Sequence, residues 1–161
     1  MKRTAFFLLA FSLLFLPACR ASQPYRNDLS AQRLAEIGAE AAAMEEAQAA
    51  NAEELADMIG TEAELPDMVV YYSANGNSLD EFGIWRTDGD AVKTVVPILR
   101  SYLDKTYENN RAYYDSYIPR ETSKLRDAEI RVYGSYVVYA VLSAESRARF
   151  FAAIEENLAV N

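Results

Sequence analysis

Histidine is absent from the 161 residues, and cysteine occurs once, at Cys19. Without imidazole there is no Ser-His-Asp or Cys-His nucleophile system and no histidine zinc site. A single thiol likewise removes thiolate zinc and any internal disulfide. Ser–Lys catalysis needs a Ser-x-x-Lys spacing, whereas Ser123 and Lys124 are adjacent. Glycine is scarce, at six residues, and none belongs to a glycine-rich phosphate loop. Asp88-Gly89-Asp90 lacks the ligand series and distal glutamate of a calcium loop, and fits a helix cap instead. Positive charge is also short: 16 Lys and Arg stand against 24 Asp and Glu, for a net charge of −8. Such a surface repels phosphate backbones, and no basic stripe interleaved with aromatics offsets it, so no nucleic-acid partner is expected. These absences leave no metal site, no cofactor and no catalytic constellation to propose.

What is present begins with an address. Lys2 and Arg3 precede the uncharged run Thr4–Leu16, which leads into Leu16-Pro17-Ala18-Cys19. A short basic segment, an apolar core and a small residue before the cut describe a secretory signal peptide over residues 1–18. The run is too short for a membrane span, which needs about 20 residues. The segment resembles a bacterial lipoprotein signal, with Leu16 three positions before the cysteine and Ala18 directly before it. Pro17 departs from the commoner Ala, Ser or Thr. That resemblance implies lipid on Cys19, which becomes the first residue of the mature chain. The bland alternative is an ordinary cut after Ala18 that leaves a free thiol. Residues 19–29 read as a polar tether holding a domain, residues 30–161, off the bilayer. Removing residues 1–18 takes away two positive charges and brings the formal charge to −10. Anionic headgroups would repel that surface, so the acyl chains would hold the protein to the membrane. The expected location is the outer face of the cell membrane.

Residues 30–60 form an acidic, Ala-rich helical part. Ser30–Ala50 has strong helix propensity, and Asn51 with Glu54 makes a capping box for a short helix stopping at Gly60. From Asp28 to Glu64 ten acids face Arg33 alone. This is a solvated face or, more sharply, a docking surface for a basic partner. After Pro66, Asp67–Tyr72 and Asp80–Thr87 read as strands joined through Asn75-Gly76. Helix Asp90–Tyr107 follows, capped by Asp88 and carrying Val95, Val96, Leu99 and Leu103 at helical spacing. Pro97 lies inside it, so a kink or a start nearer the proline is expected. Asn109–Ser123 is the least regular stretch. Glu129–Tyr133 and Tyr136–Leu142 then form a second hairpin across Gly134-Ser135. Ser143 caps a last helix carrying Phe150, Phe151, Ile154 and Leu158. The second strand–strand–helix unit repeats the first at an offset of 55, the step from Asp88 to Ser143. The pattern predicts an α+β fold: a helical segment, then two such units forming a four-stranded antiparallel sheet with helices on one face and pseudo-twofold symmetry.

From about Ala31 onward the chain resembles the domain of unknown function numbered 4358, found in lipoproteins of largely clostridial bacteria. The stretches carrying this resemblance are Asp80-Glu81-Phe82-Gly83-Ile84 with the Thr87-Asp88 cap, Tyr117-Ile118-Pro119 with Lys124-Leu125, and Gly134-Ser135-Tyr136-Val137-Val138 with the Leu142-Ser143 cap. The resemblance implies an exported, lipid-anchored α+β domain and no catalytic residues.

Acidic pairs invite comparison with glycosidase carboxylates. Asp80-Glu81 and Glu155-Glu156, however, sit at element ends where charges are normally solvated. The segment Arg111–Arg120 is the candidate ligand or partner surface. Tyr113, Tyr114 and Tyr117 supply rigid contact area with hydrogen-bonding tips, and Arg111 and Arg120 suit carboxylates or sugars. The plainer reading packs these tyrosines on the sheet. The expectation is a membrane-anchored, non-catalytic binding module with an envelope protein or saccharide as partner. The alternative is a catalytic or accessory component of an envelope-modifying machine.

Overall fold

The computed structural model describes residues 25–59, 67–87 and 89–160. The signal peptide at 1–18, Cys19, the helix stop at Gly60, Pro66 and the Asp88 cap lie outside the described residues. The elements run α1 (Ala31–Ala42), β1 (Ala47–Ala49), α2 (Ala52–Ile59), β2 (Met68–Ser73), β3 (Glu81–Arg86), α3 (Val92–Tyr117), α4 (Pro119–Arg126), β4 (Glu129–Tyr133), β5 (Tyr136–Val141) and α5 (Ala144–Leu158). The strands form one antiparallel sheet in the order β1-β2-β3-β5-β4.

The fold class is α+β, as the pattern predicted, but two particulars differ. The sheet has five strands instead of four, because Ala47–Ala49 leaves the expected helix and pairs with Tyr71–Ser73. Helix α1 ends at Ala42 and Ala43 turns left-handed at φ 51°. The physical reason lies far along the chain. The Arg149 guanidinium, on α5, donates to the carbonyls of Ala41 and Ala42 and so occupies the negative end of α1.

The second difference is that helices cover both faces. Phe82, Ile84, Val138 and Ala140 pack with α1 and α5 through Leu34, Phe150, Phe151 and Ile154. Val70, Trp85, Val137, Tyr139 and Val141 point the other way, onto Leu55 of α2, Val95, Leu99 and Leu103 of α3, and Leu125 of α4. All six residues of β5 are therefore buried. Its nearly unbroken apolar sequence, YVVYAV, is what a strand covered on both sides requires.

This placement removes the expected pseudo-twofold. Strands β3 and β5 are antiparallel neighbours, β2 and β4 flank them on opposite sides, and α3 and α5 lie on opposite faces. Carrying one unit onto the other would reverse strand direction, side and face together. That operation is an inversion, which no rotation of an L-chain performs. The two units share a local pattern and have opposite hands.

Local signals were otherwise followed. Ser143 Oγ accepts from the Ser146 amide at 3.2 Å. Asn51 Oδ1 accepts from the amides of Glu53 and Glu54 at 3.0 Å, and the Asn51 amide donates to Glu54 Oε2 at 2.8 Å. Gly134 takes a left-handed φ of 58° in the β4–β5 turn, as a two-residue hairpin demands. Helix α3 starts a turn before Pro97, whose ring faces solvent, and continues through it. It reaches Tyr117, so the stretch Asn109–Ser123 is helical on both sides of a break at Ile118. Pro119 opens α4 at a first-turn position where no amide proton is needed. Part of the stretch assigned to the tether joins the packed body. The Arg26 amide donates to the Leu158 carbonyl, Tyr25 meets Tyr133 edge-on at 5.3 Å, and the Tyr136 hydroxyl donates to the Leu29 carbonyl.

Candidate functional site

Geometry makes α3 the element that positions the site. Its 26 residues extend roughly 39 Å at 1.5 Å per residue, against roughly 20 Å for a six-residue strand. The first half is fixed to the sheet by Val95, Leu99 and Leu103, and the second half adds Tyr107 and Tyr114 to the same layer. Helix α4 packs back against α3. Between α3, α4, the short α2 and the β2–β3 end of the sheet lies a cleft of about 550 Å³.

Glu81 stands at its floor. As the first residue of β3 it shares a face with Gly83 and Trp85, so its side chain is directed inward beneath α3. The Tyr102 hydroxyl donates to its carboxyl at 3.0 Å, and the Tyr139 hydroxyl makes a second, short bond to Oε1. Burial raises the Glu81 pKa, and the two phenol donors oppose that rise without cancelling it. Burial, together with the neighbouring carboxylate, pushes the phenols of Tyr102 and Tyr139 far up as well. The three groups form one buried hydrogen-bonded network.

The rim is charged and anchored. Lys124 Nζ bridges Asp80 at 2.7 Å and Glu121 at 2.6 Å, and Glu121 also accepts from the Leu79 amide at 3.0 Å. Burial pulls the lysine pKa down, but the two carboxylates outweigh it and the net direction is up. This cluster ties the β2–β3 turn to α4. The walls add the rings of Tyr72, Tyr102 and Tyr114 and the apolar side chains of Leu79, Leu125 and Val141. Glu54 and Asp57 come from α2.

The candidates from Arg111–Arg120 divide. Tyr114 is half-buried and lines the cleft. Tyr113 and Tyr117 stand outside, 55% and 73% exposed, with ring centroids 4.8 Å apart. Tyr113 also meets Tyr114 at 6.0 Å, so the three rings are continuous from the cleft to the helix end. Arg111 and Arg120 are both exposed, and Arg111 Nε lies 4.0 Å from Asp115. Neither arginine sits over these rings. Among the described residues the cation placed over an aromatic face is Arg131, 4.0 Å from the Phe151 centroid on the opposite layer. Cys19 lies outside the described residues.

Sequence reasoning missed Glu81, Tyr102 and Tyr139, and took Asp80-Glu81 for a solvated pair. Asp80 instead is held by Lys124, and Glu81 lies under Tyr102. A signal was available, since an acid in period-2 phase with Trp85 falls on the buried face. Among the described residues no helix is long and apolar enough to cross a membrane.

No curated protein and no solved structure matches the chain. A family model described as "Domain of unknown function (DUF4358)" matches residues 38–142. That match takes in β1 through β5, the Glu81 network and every wall of the cleft, and the chain belongs to the DUF4358 family.

Proposed function

We propose that this chain is an exported lipoprotein held to the outer face of the cell membrane by lipid on Cys19, and that its domain is a non-catalytic binding module. The cleft between α2, α3, α4 and the sheet is its ligand site. The observation that carries this reading is the continuity of the cleft, through Tyr114, with the exposed Tyr113 and Tyr117 rings. Aromatic area of this kind is retained at a surface where something covers it. The envelope supplies the partner, as a protein or a saccharide.

Two measurements test it. Cells labelled with an alkyne palmitate should yield labelled protein, and Cys19→Ala should abolish the label. A soluble, unlabelled wild-type protein refutes the anchor. Photo-cross-linking in the native envelope should weaken in Tyr114→Ala and Tyr117→Ala with little change in Tm for the exposed Tyr117. Unchanged cross-linking in both variants refutes the site.

A second reading, a catalytic or accessory part of an envelope-modifying machine, is favoured by one observation. The buried Glu81 carboxyl has a raised pKa, as a general acid needs. Both Tyr102 and Tyr139 already occupy that carboxyl, which favours a structural role.

A further inference from the structure

The charge on the cleft walls has one sign. Glu54, Asp57, Asp80 and Glu81 line it, and among the described residues no arginine or lysine does. The nearby cation, Lys124, is already shared between Asp80 and Glu121. Glu54 is partly committed to the Asn51 amide, and Glu81 to its two phenols. Asp57 is exposed on α2 at the cleft and carries no side-chain hydrogen bond or ion pair among the described residues. An anion brought here would meet the carboxylates of Asp57 and Glu54 with no cation of the walls to offset them.

Three tyrosine rings share the same walls. Tyr72 comes from β2, and Tyr102 and Tyr114 come from α3. Aromatic faces carry negative potential and attract ammonium and guanidinium groups, most strongly where water is displaced. Leu79, Leu125 and Val141 offer an apolar surface for the body attached to such a group. A cavity of about 550 Å³ accommodates a small organic molecule or one long side chain of a peptide.

Resting on the reading of this cleft as the ligand site, we infer that its ligand is an organic cation: an ammonium or guanidinium group on an apolar stem, received between Asp57 and the tyrosine rings. Neutral polyols and carboxylates are disfavoured. An amine-bearing envelope component or a basic peptide side chain presents the same chemistry.

Benzylamine, benzyl alcohol and benzoate separate the alternatives because they share one body and differ in charge. Titration of the purified protein, followed by NMR line positions of cleft residues, should give saturable benzylamine binding. Benzylamine should bind about tenfold more tightly than the alcohol, and benzoate more weakly than either. Asp57→Asn and Tyr114→Ala should each weaken benzylamine by about three- to tenfold. Glu36→Gln, an exposed acid on α1 in the opposite layer, should leave it unchanged. Asp57 is on the surface, so its variant keeps the test informative if Tyr114→Ala unfolds. Equal binding of amine and alcohol, preference for benzoate, absence of saturation, or equal loss in Glu36→Gln would overturn the assignment. If benzylamine fails while Tyr114→Ala still reduces cross-linking in the envelope, the cleft stands as the site and the ligand class falls.

Discussion

Gly83 lies in the middle of β3, directly opposite Tyr139 of β5. A methyl group added there would stand 2.2 Å from Tyr139 Cε1, 3.0 Å from its Cδ1 and 3.0 Å from Val70 Cγ2. The ring cannot easily give way. Trp85 stacks on it at 5.8 Å, Tyr102 meets it edge-on at 6.2 Å, and its hydroxyl is bonded to Glu81. Glycine is thus the residue that admits a close approach in a central strand. Replacing it with alanine gains about 0.5–1 kcal/mol in chain entropy. Overpacking costs about 1–3 kcal/mol, and a ring pinned on three sides belongs toward the upper end. Gly83→Ala should therefore lose about 1–2 kcal/mol net, read as a lower urea midpoint at unchanged m.

The attribution to Tyr139 can be isolated. In a Tyr139→Phe background the ring remains between Trp85 and Tyr102, and Gly83→Ala should keep most of its wild-type cost. In Tyr139→Leu the colliding atom is gone, and the same change should become neutral or stabilising. The difference is the interaction energy of a double-mutant cycle between touching residues. Fluorescence of Trp85, the only tryptophan, should shift in Gly83→Ala and less so in the Leu background. A cost that is equal in the Phe and Leu backgrounds would refute the steric account and place the effect in the strand backbone.

Loss of the α2 and α5 caps, in Asn51→Ala and Ser143→Ala, should each destabilise by about 1 kcal/mol in urea melts, against little for the exposed Glu53→Ala. Glu81→Gln should change stability in a pH-dependent way. The native carboxyl has a raised pKa beside Tyr102, Tyr139 and the Asp80–Lys124–Glu121 cluster, so its proton stabilises the fold below the unfolded pKa. That contribution is lost as pH rises through the folded value. Relative to wild type, Glu81→Gln should gain as pH rises from 4 to 8, and a flat difference would show that Glu81 titrates as it does unfolded.

Strands, caps and turns were legible because each is written in neighbouring residues. Alternation marks β3, Gly134 marks the hairpin, and a hydroxyl or amide side chain marks the start of α5 and α2. The end of α1 was not, because Ala and Glu around Ala43 favour helix and the group that stops it, Arg149, is more than a hundred residues away. Nor was β1, three residues of helix-favouring composition that become a strand only by pairing with β2. Asn109-Asn110 disguised the continuation of α3, whose Tyr107 and Tyr114 recur at seven-residue spacing on the side packed to the domain. Of the site, the tyrosine segment was visible as composition. The Glu81 network was hidden because its members come from β3, α3 and β5.

The two layers explain why the cleft lies where it does. On one face α1 and α5 are of similar length to one another and close over the sheet, with Phe150 so near Gly38 that a Cβ there would stand 2.4 Å from its Cε2. On the other face one long helix crosses the sheet, and the rest of the cover comes from α2 and α4, eight residues each. Two short helices cannot close what one long helix leaves open, and the gap falls over the end of β3 where Glu81 begins the strand. The opposite hands of the two units thus place α5 with α1 on one face and leave α3, with its two short partners, on the face that carries the cleft.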